Sequence, residues 1–229
     1  LEKRKEEVAG AITEQGKMTE EIQKALDAAL TLTEVEDIYR PYKQKKKTRA
    51  SVAIEKGLQP LAEFILAQDK DADVKAEAEK YIDEEKGVAS AEEAIAGAKD
   101  IIAEIVSDDA NVRKKLRNLF MKNGEVVTKL VNGDKDESKT YEMYADYSEL
   151  VPEIKSHRVL AVNRGEKEGF LKVKVIFNEE IAKRVAGAGY LKDGGYSTQL
   201  VKEAVEDGYD RLIYPSIERE VRAALTEAA

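Results

Sequence analysis

Lys43, Lys45, Lys46, Lys47 and Arg49 place five cations within seven residues, with no acid among them and with Tyr39 and Tyr42 just ahead. Cations at that density suit a phosphate backbone, because each neutralised phosphate releases condensed counterions, and tyrosine rings can stack on bases. The five account for +5 of a net charge of −8, so the rest of the chain carries −13. A positive loop on an acidic body fits a local phosphate contact better than a surface that coats nucleic acid throughout. The same residues also suit a solvated loop before a helix, with the tyrosines packed inward. Charge alone does not choose between these readings.

Other residue patterns fall short of a working site. Asp69, Asp71 and Asp73 have the spacing of the first calcium ligands of an EF-hand, but Val74 stands where the loop needs Gly and Lys80 where it needs a bidentate Glu. Gly189 and Gly194 have Walker spacing, yet Gly195 and Tyr196 occupy the positions of the Lys and Ser/Thr that contact phosphate and Mg²⁺. Lys192 fills the third glycine position of a dinucleotide pattern begun at Gly187 and Gly189. That stretch reads as a flexible connection. Ser156 and His157 are adjacent, and neighbours on a helix point about 100° apart, too far for a nucleophile–base bond. A packed or capping histidine is the expectation. With no cysteine, one histidine and acids scattered among bases, the sequence predicts no thiol chemistry, no metal site, no cofactor and no enzymatic activity.

These residues need elements to carry them. Val8, Ala11 and Ile12 have helical spacing from the first residues onward, and Gly16 closes that helix. Thr19 caps a second, with Ile22, Ala25, Leu26 and Ala29 on one face. Thr33 with Glu36 forms a capping box for a third, stopped by Pro41. Beyond the basic loop, Ser51–Lys56 reads as helix ended by Gly57, and Leu58–Leu66 renews the pattern. Short helices joined by tight turns predict a helix-turn-helix-like segment over residues 1–67. Residues 69–86 read as an exposed helix. Ser90 with Glu93 opens a helix with a wide apolar stripe, and Asp109 caps the next, with Val112, Leu116 and Leu119 inward.

The periodicity then shifts to two. Val126–Val131 is a β-branched run closed by Asn132-Gly133, and Leu171–Phe177 alternates with Lys172 and Lys174 outward. Two strands are expected, paired in one small β element. Tyr141–Ala145 and Ser156–Asn163, the latter capped by Ser156, read as short helices. A long helix runs from Tyr196, with Pro215 expected to kink or restart it. The fold class is mainly α: a multi-helix scaffold whose second part spans residues 68–229.

Composition agrees. Charged residues reach 37%, above the usual share of about 25%, with 6% aromatics and no tryptophan. This favours helices with charged outer faces. The opening residues lack the apolar core of a signal peptide, and no apolar run approaches the ~18 residues of a membrane span. A cytoplasmic location without membrane contact is expected. Helical pattern continues through both ends, as in a piece of a longer chain.

Three stretches carry a resemblance: YRPYKQKKKTRASVAIEKGLQPLA at 39–62, SHRVLAVNRGEKEG at 156–169 and AVEDGYDRLIYPSIEREVRAAL at 204–225. In order and spacing they resemble the Tex family of bacterial transcription accessory proteins, over essentially the whole chain. Departures are small: the family usually has Pro at the positions of Gln44, Leu150 and Lys155, and an aromatic near Asn163. The resemblance implies a helical scaffold from a protein that binds RNA or DNA and associates with the transcription machinery. It also implies a helix-turn-helix region here, and an RNase H-like domain and an OB-fold RNA-binding domain outside this segment, which would be partners of it. The alternative is a protein-interaction module with no nucleic-acid contact.

Overall fold

The computed structural model describes residues 1–43, 47–135 and 139–229. Along the chain, helices α1 (Glu2–Glu14), α2 (Glu20–Ala28) and α3 (Leu32–Tyr39) come first, and a 3₁₀ turn at Arg40–Tyr42 follows. Then come α4 (Arg49–Glu55), α5 (Gln59–Ala67), α6 (Val74–Glu79), α7 (Ala91–Asp108) and α8 (Ala110–Asn123). Strand β1 (Glu125–Leu130) precedes β2 (Asp146–Leu150), α9 (Ser156–Lys167), β3 (Leu171–Ile176) and α10 (Glu179–Gly187). Helix α11 (Tyr196–Gly208) passes through a π-helical turn at Tyr209–Ile213 into α12 (Tyr214–Ala228). Pro215 sits in the first turn of α12, where its missing amide costs nothing, so the ladder is reset there as expected.

The chain forms two compact units. One comprises Leu1–Lys114 and Ala186–Leu212, the other Lys115–Val185 and Ile213–Ala229. In the first, α7 is the mast against which α4, α5, α6 and α11 pack. Ala94, Ala98, Ile101, Ile102 and Val106 are buried along it. Ser90 caps it by accepting the Glu93 N–H, and the Glu93 carboxylate returns to the Ala89 N–H. A satellite core of Val8, Ile12, Leu26, Ala29 and Val35 holds α1, α2 and α3 together.

Several boundaries differ from the sequence reading. The cap of α3 is Thr31, not Thr33: its hydroxyl accepts the Glu34 N–H, and Glu34 accepts the Leu30 N–H. Both frames read Thr-x-x-Glu, but the earlier one gives a full two-turn helix with Val35 in the core. Helix α4 starts at Arg49 because Thr48 and Ser51 cap reciprocally. Residues 69–86 are not one helix. Asp69 accepts the Asp71 N–H, Asp73 accepts that of Ala76, and Asp83 those of Glu85 and Lys86. These side chains offer the backbone local turns, so only the six residues of α6 remain α-helical. In α8, Phe120 is fully buried where Leu119 was expected, and Leu119 is half-buried.

The second unit is built on the sheet, ordered β2-β1-β3 and antiparallel throughout. The expected pairing of the two apolar strands is present, with Val126 opposite Val175 and Thr128 opposite Val173. The sheet has three strands rather than two, because Asp146–Leu150 adds to the other side of β1. Leu171, Val173 and Val175 are buried, while Lys172 and Lys174 face outward. The open edge of β3 is blunted by α12: Glu218 accepts the Val175 N–H at 2.9 Å, and the Tyr214 hydroxyl donates to the Val175 carbonyl at 2.8 Å.

Candidate nucleic-acid interface

The basic stretch is fixed at both ends. Upstream, Tyr39 and Tyr42 pack on the satellite core rather than facing a ligand. The Arg4 guanidinium sits 5.5 Å from the Tyr39 ring centre and is held there by Glu36 at 2.6 Å. Gln15 donates to the Tyr42 carbonyl at 2.6 Å. Both tyrosines are thus held against this core, half-buried, as in the inward reading. Downstream, Thr48 caps α4 and donates its hydroxyl to Glu104 on α7 at 2.9 Å.

Between these anchors, Lys43 and Lys47 are exposed, as is Arg49 in the first turn of α4. Lys45 and Lys46 lie outside the described residues. Among the described residues, none of the side chains of Lys43, Lys47 and Arg49 makes an ion pair or a hydrogen bond. Elsewhere the cations of the chain are commonly matched: Lys99 with Glu203 at 2.6 Å, Arg117 with Glu220 at 2.8 Å, Arg222 with Glu166 at 2.8 Å. Arg49 is felt electrostatically by Asp100, whose carboxyl burial pushes above its ordinary range while Arg211 and Arg49 pull it back.

The basic stretch borders a recess of about 500 Å³ between α4 and α7. Lys47, Arg49 and Lys56 line it from the α4 side, and Glu93, Ala96 and Asp100 from α7. A second hollow of about 400 Å³ lies on the other flank of α4, under Ile54 and Ile105. Two of its carboxylates serve the fold: Asp109 caps α8 and accepts the Tyr190 hydroxyl at 2.6 Å, and Glu104 accepts from Thr48.

Most of the remaining sequence candidates have structural roles. The aspartates at 69 and 73 are engaged in the turns described above. The glycine-rich stretch contains the end of α10, a helix the sequence reading missed, with Ala182 and Ala186 buried. Gly194 is pressed onto the backbone of Gln68, so that a Cβ there would come within 2.2 Å of the Gln68 carbonyl oxygen. Close packing, not a phosphate cradle, accounts for that glycine. Ser156 is the first residue of α9 and makes no capping bond, and His157 is exposed, neither packed nor capping. The segment around them joins elements of the second unit: Arg158 donates to the Tyr147 hydroxyl at 3.0 Å, and Asn163 and Glu166 accept from Arg222.

The feature the sequence reading missed is a clasp around Gln68. This residue is buried and left-handed at φ 52°. Its amide nitrogen donates to the Tyr190 carbonyl at 2.6 Å and to that of Leu66 at 3.1 Å, and its oxygen accepts the Lys192 N–H at 2.8 Å. It ties the loop before α11 to the end of α5.

A family model described as Tex central region-like matches residues 69–229. The chain is 46% identical over its whole length to the uncharacterized protein YdcI of Bacillus subtilis, of which it covers 32%. It is 39% identical over 76% of its length to protein YhgF of Escherichia coli, covering 22% of that protein. With transcriptional accessory protein Tex of Neisseria gonorrhoeae it shares 34% identity over its whole length, covering 31% of that relative. The chain thus spans no more than about a third of these relatives.

Proposed function

This chain belongs to the Tex family, and from that premise we propose that it is a non-catalytic helical scaffold of a transcription accessory protein, touching nucleic acid through its basic stretch. The transcription role rests on the names of the relatives. The contact rests on one observation: Lys43, Lys47 and Arg49 are exposed and unmatched on a chain that is otherwise acidic. The absence of catalysis rests on a glycine-rich stretch without phosphate or Mg²⁺ ligands, whose Gly194 is taken up by packing. A cytoplasmic location and docking with other domains of the longer protein and with the transcription machinery belong to the same proposal.

Five cations neutralise at most about five phosphates, giving a log–log salt slope of up to roughly −4 to −5 on duplex DNA. The surrounding negative charge opposes approach, so the expected affinity is weak, about 10⁻⁴ M or poorer at physiological salt. The test is salt-dependent binding of fluorescent oligonucleotides by this chain and by a Lys43→Gln, Lys45→Gln, Lys46→Gln variant. The variant is expected to flatten the slope while its thermal melt stays close to that of the unchanged chain. Unaltered binding by a folded variant rejects the contact. It would favour the second reading, a protein-docking module, for which the exposed Leu30 (81%) and Leu32 (54%) at the α2–α3 turn speak.

A further inference from the structure

The recess between α4 and α7 has a cationic rim that extends beyond the basic stretch. Lys56 closes α4 and Lys86 ends the 3₁₀ turn at Glu84–Lys86. Each is followed by a glycine in the left-handed region, Gly57 at φ 79° and Gly87 at φ 82°. Without side chains at those glycines the two lysines cross over each other's turn. The Lys86 Nζ comes within 3.6 Å of where a Gly57 Cβ would stand, and the Lys56 Nζ within 3.8 Å of the Gly87 counterpart. Among the described residues, neither ammonium has an ion pair or a hydrogen bond. Lys47, Arg49 and Lys56 line the hollow, Lys86 stands next to it beside the lining Gly87, and among the described residues none of the four is matched by a carboxylate within salt-bridge distance.

The interior of the recess is different in character. Val52, Ala53, Leu58, Val88 and Ala96 give it an apolar lining, and Glu93 and Asp100 face it from α7. Its volume of about 500 Å³ falls in the range of small-molecule sites, about 300–1,000 Å³. A cationic rim, an apolar lining and carboxylate acceptors together match a nucleotide: phosphate outside, base face on the lining, base amino groups toward the acids. Four cations are more than the phosphate of one mononucleotide requires, and successive phosphates of a strand would engage them all. A duplex keeps its bases paired and cannot offer one to the recess.

We propose that this recess is a subsite for one unpaired nucleotide of a single strand, with its flanking phosphates on Lys47, Arg49, Lys56 and Lys86. The inference rests on the nucleic-acid reading above and shares Lys47 and Arg49 with it; its variants change Lys56, Lys86 and Ala96 instead of the 43–46 lysines, so the two fail separately.

The test uses the 229-residue chain with three probes: a single-stranded homopyrimidine octamer, the same octamer as a duplex, and the free mononucleotide. Its variants are Lys56→Gln with Lys86→Gln, and Ala96→Leu, which grows from an exposed position into the recess. The single strand is expected to bind best. With a slope of about −0.7 per phosphate on a single strand, each lost contact weakens binding roughly eightfold at about 50 mM salt. The lysine variant loses two contacts and should weaken single-strand binding roughly 60-fold, and Ala96→Leu should weaken the single strand while leaving duplex binding alone. Circular dichroism and thermal melting confirm that both variants fold.

Duplex binding as tight as single-strand binding, or indifference to Ala96→Leu, overturns the subsite. A mononucleotide that binds as tightly as the strand overturns the strand as its source. If the lysine pair is silent while the loop variant flattens the salt slope, the subsite falls and the loop contact stands. If no probe binds, both fall.

Discussion

Replacing Gln68 with alanine removes a buried side chain that makes three backbone hydrogen bonds, to the carbonyls of Tyr190 and Leu66 and from the Lys192 N–H, and shares the Thr198 hydroxyl. At a net worth of about 0.5–1.5 kcal/mol per bond, and with partners able to regain some water, the loss is about 2–4 kcal/mol. That is a large part of a typical domain stability of about 5–15 kcal/mol. Glycine at the same position loses the same bonds but adopts φ 52° without a Cβ penalty. Gln68→Gly should therefore exceed Gln68→Ala by about 0.5–1 kcal/mol. Urea titration followed by circular dichroism reads both, with an unchanged m-value confirming that the same surface unfolds. A loss below about 1 kcal/mol for the alanine variant, or an alanine variant as stable as the glycine one, refutes the clasp.

Thr31→Ala should cost about 1 kcal/mol as a lost helix cap, whereas Thr33→Ala should stay within about 0.5 kcal/mol; paired thermal melts decide which frame caps α3. Burial and the Asp109 hydrogen bond raise the Tyr190 hydroxyl above its ordinary value of 10.0. Its contribution is complete below pH 10 and is lost as pH rises toward the folded value, because the unfolded chain releases the proton first. Tyr190→Phe should thus be less stable at neutral pH but lose less stability above about pH 10 in alkaline melts. Glu218→Ala leaves the Val175 N–H unpaired at the sheet edge and should cost about 1–2 kcal/mol, with faster hydrogen exchange at Val175.

Periodicity exposed what is local and repetitive. The alternation in Leu171–Ile176 and the β-branched residues before Asn132 marked both apolar strands and supported their pairing. Strand β2, Asp-Tyr-Ser-Glu-Leu, carries no such signal: its side chains alternate only between exposed and half-buried, and pairing with β1 makes it a strand. The aspartates of 69–86 show the converse, since a helical pattern was overridden by side chains that turn the backbone locally. The α3 cap was ambiguous because two Thr-x-x-Glu frames overlap and only core packing selects one. At the candidate site, the run of cations was plain in the sequence, and so was its doubt over the tyrosines. Lys56 and Lys86 lie thirty positions apart, and nothing in their neighbours announces that two left-handed glycines bring them to one rim.

Neither unit is a single stretch of chain, and this bears on how the protein is made. The first unit receives α7 early and α11, which packs on it, only after the whole of Lys115–Val185 has been synthesised. The second likewise waits for α12, whose Glu218 and Tyr214 cover the edge of β3. On the ribosome both cores therefore stay open until the final third of this segment emerges, with the apolar side of α7 and a bare strand edge exposed together. Such surfaces are what chaperones bind and what aggregation exploits. A slowed ribosome between residues 177 and 195 should prolong that state, whereas slowing before residue 90 should not.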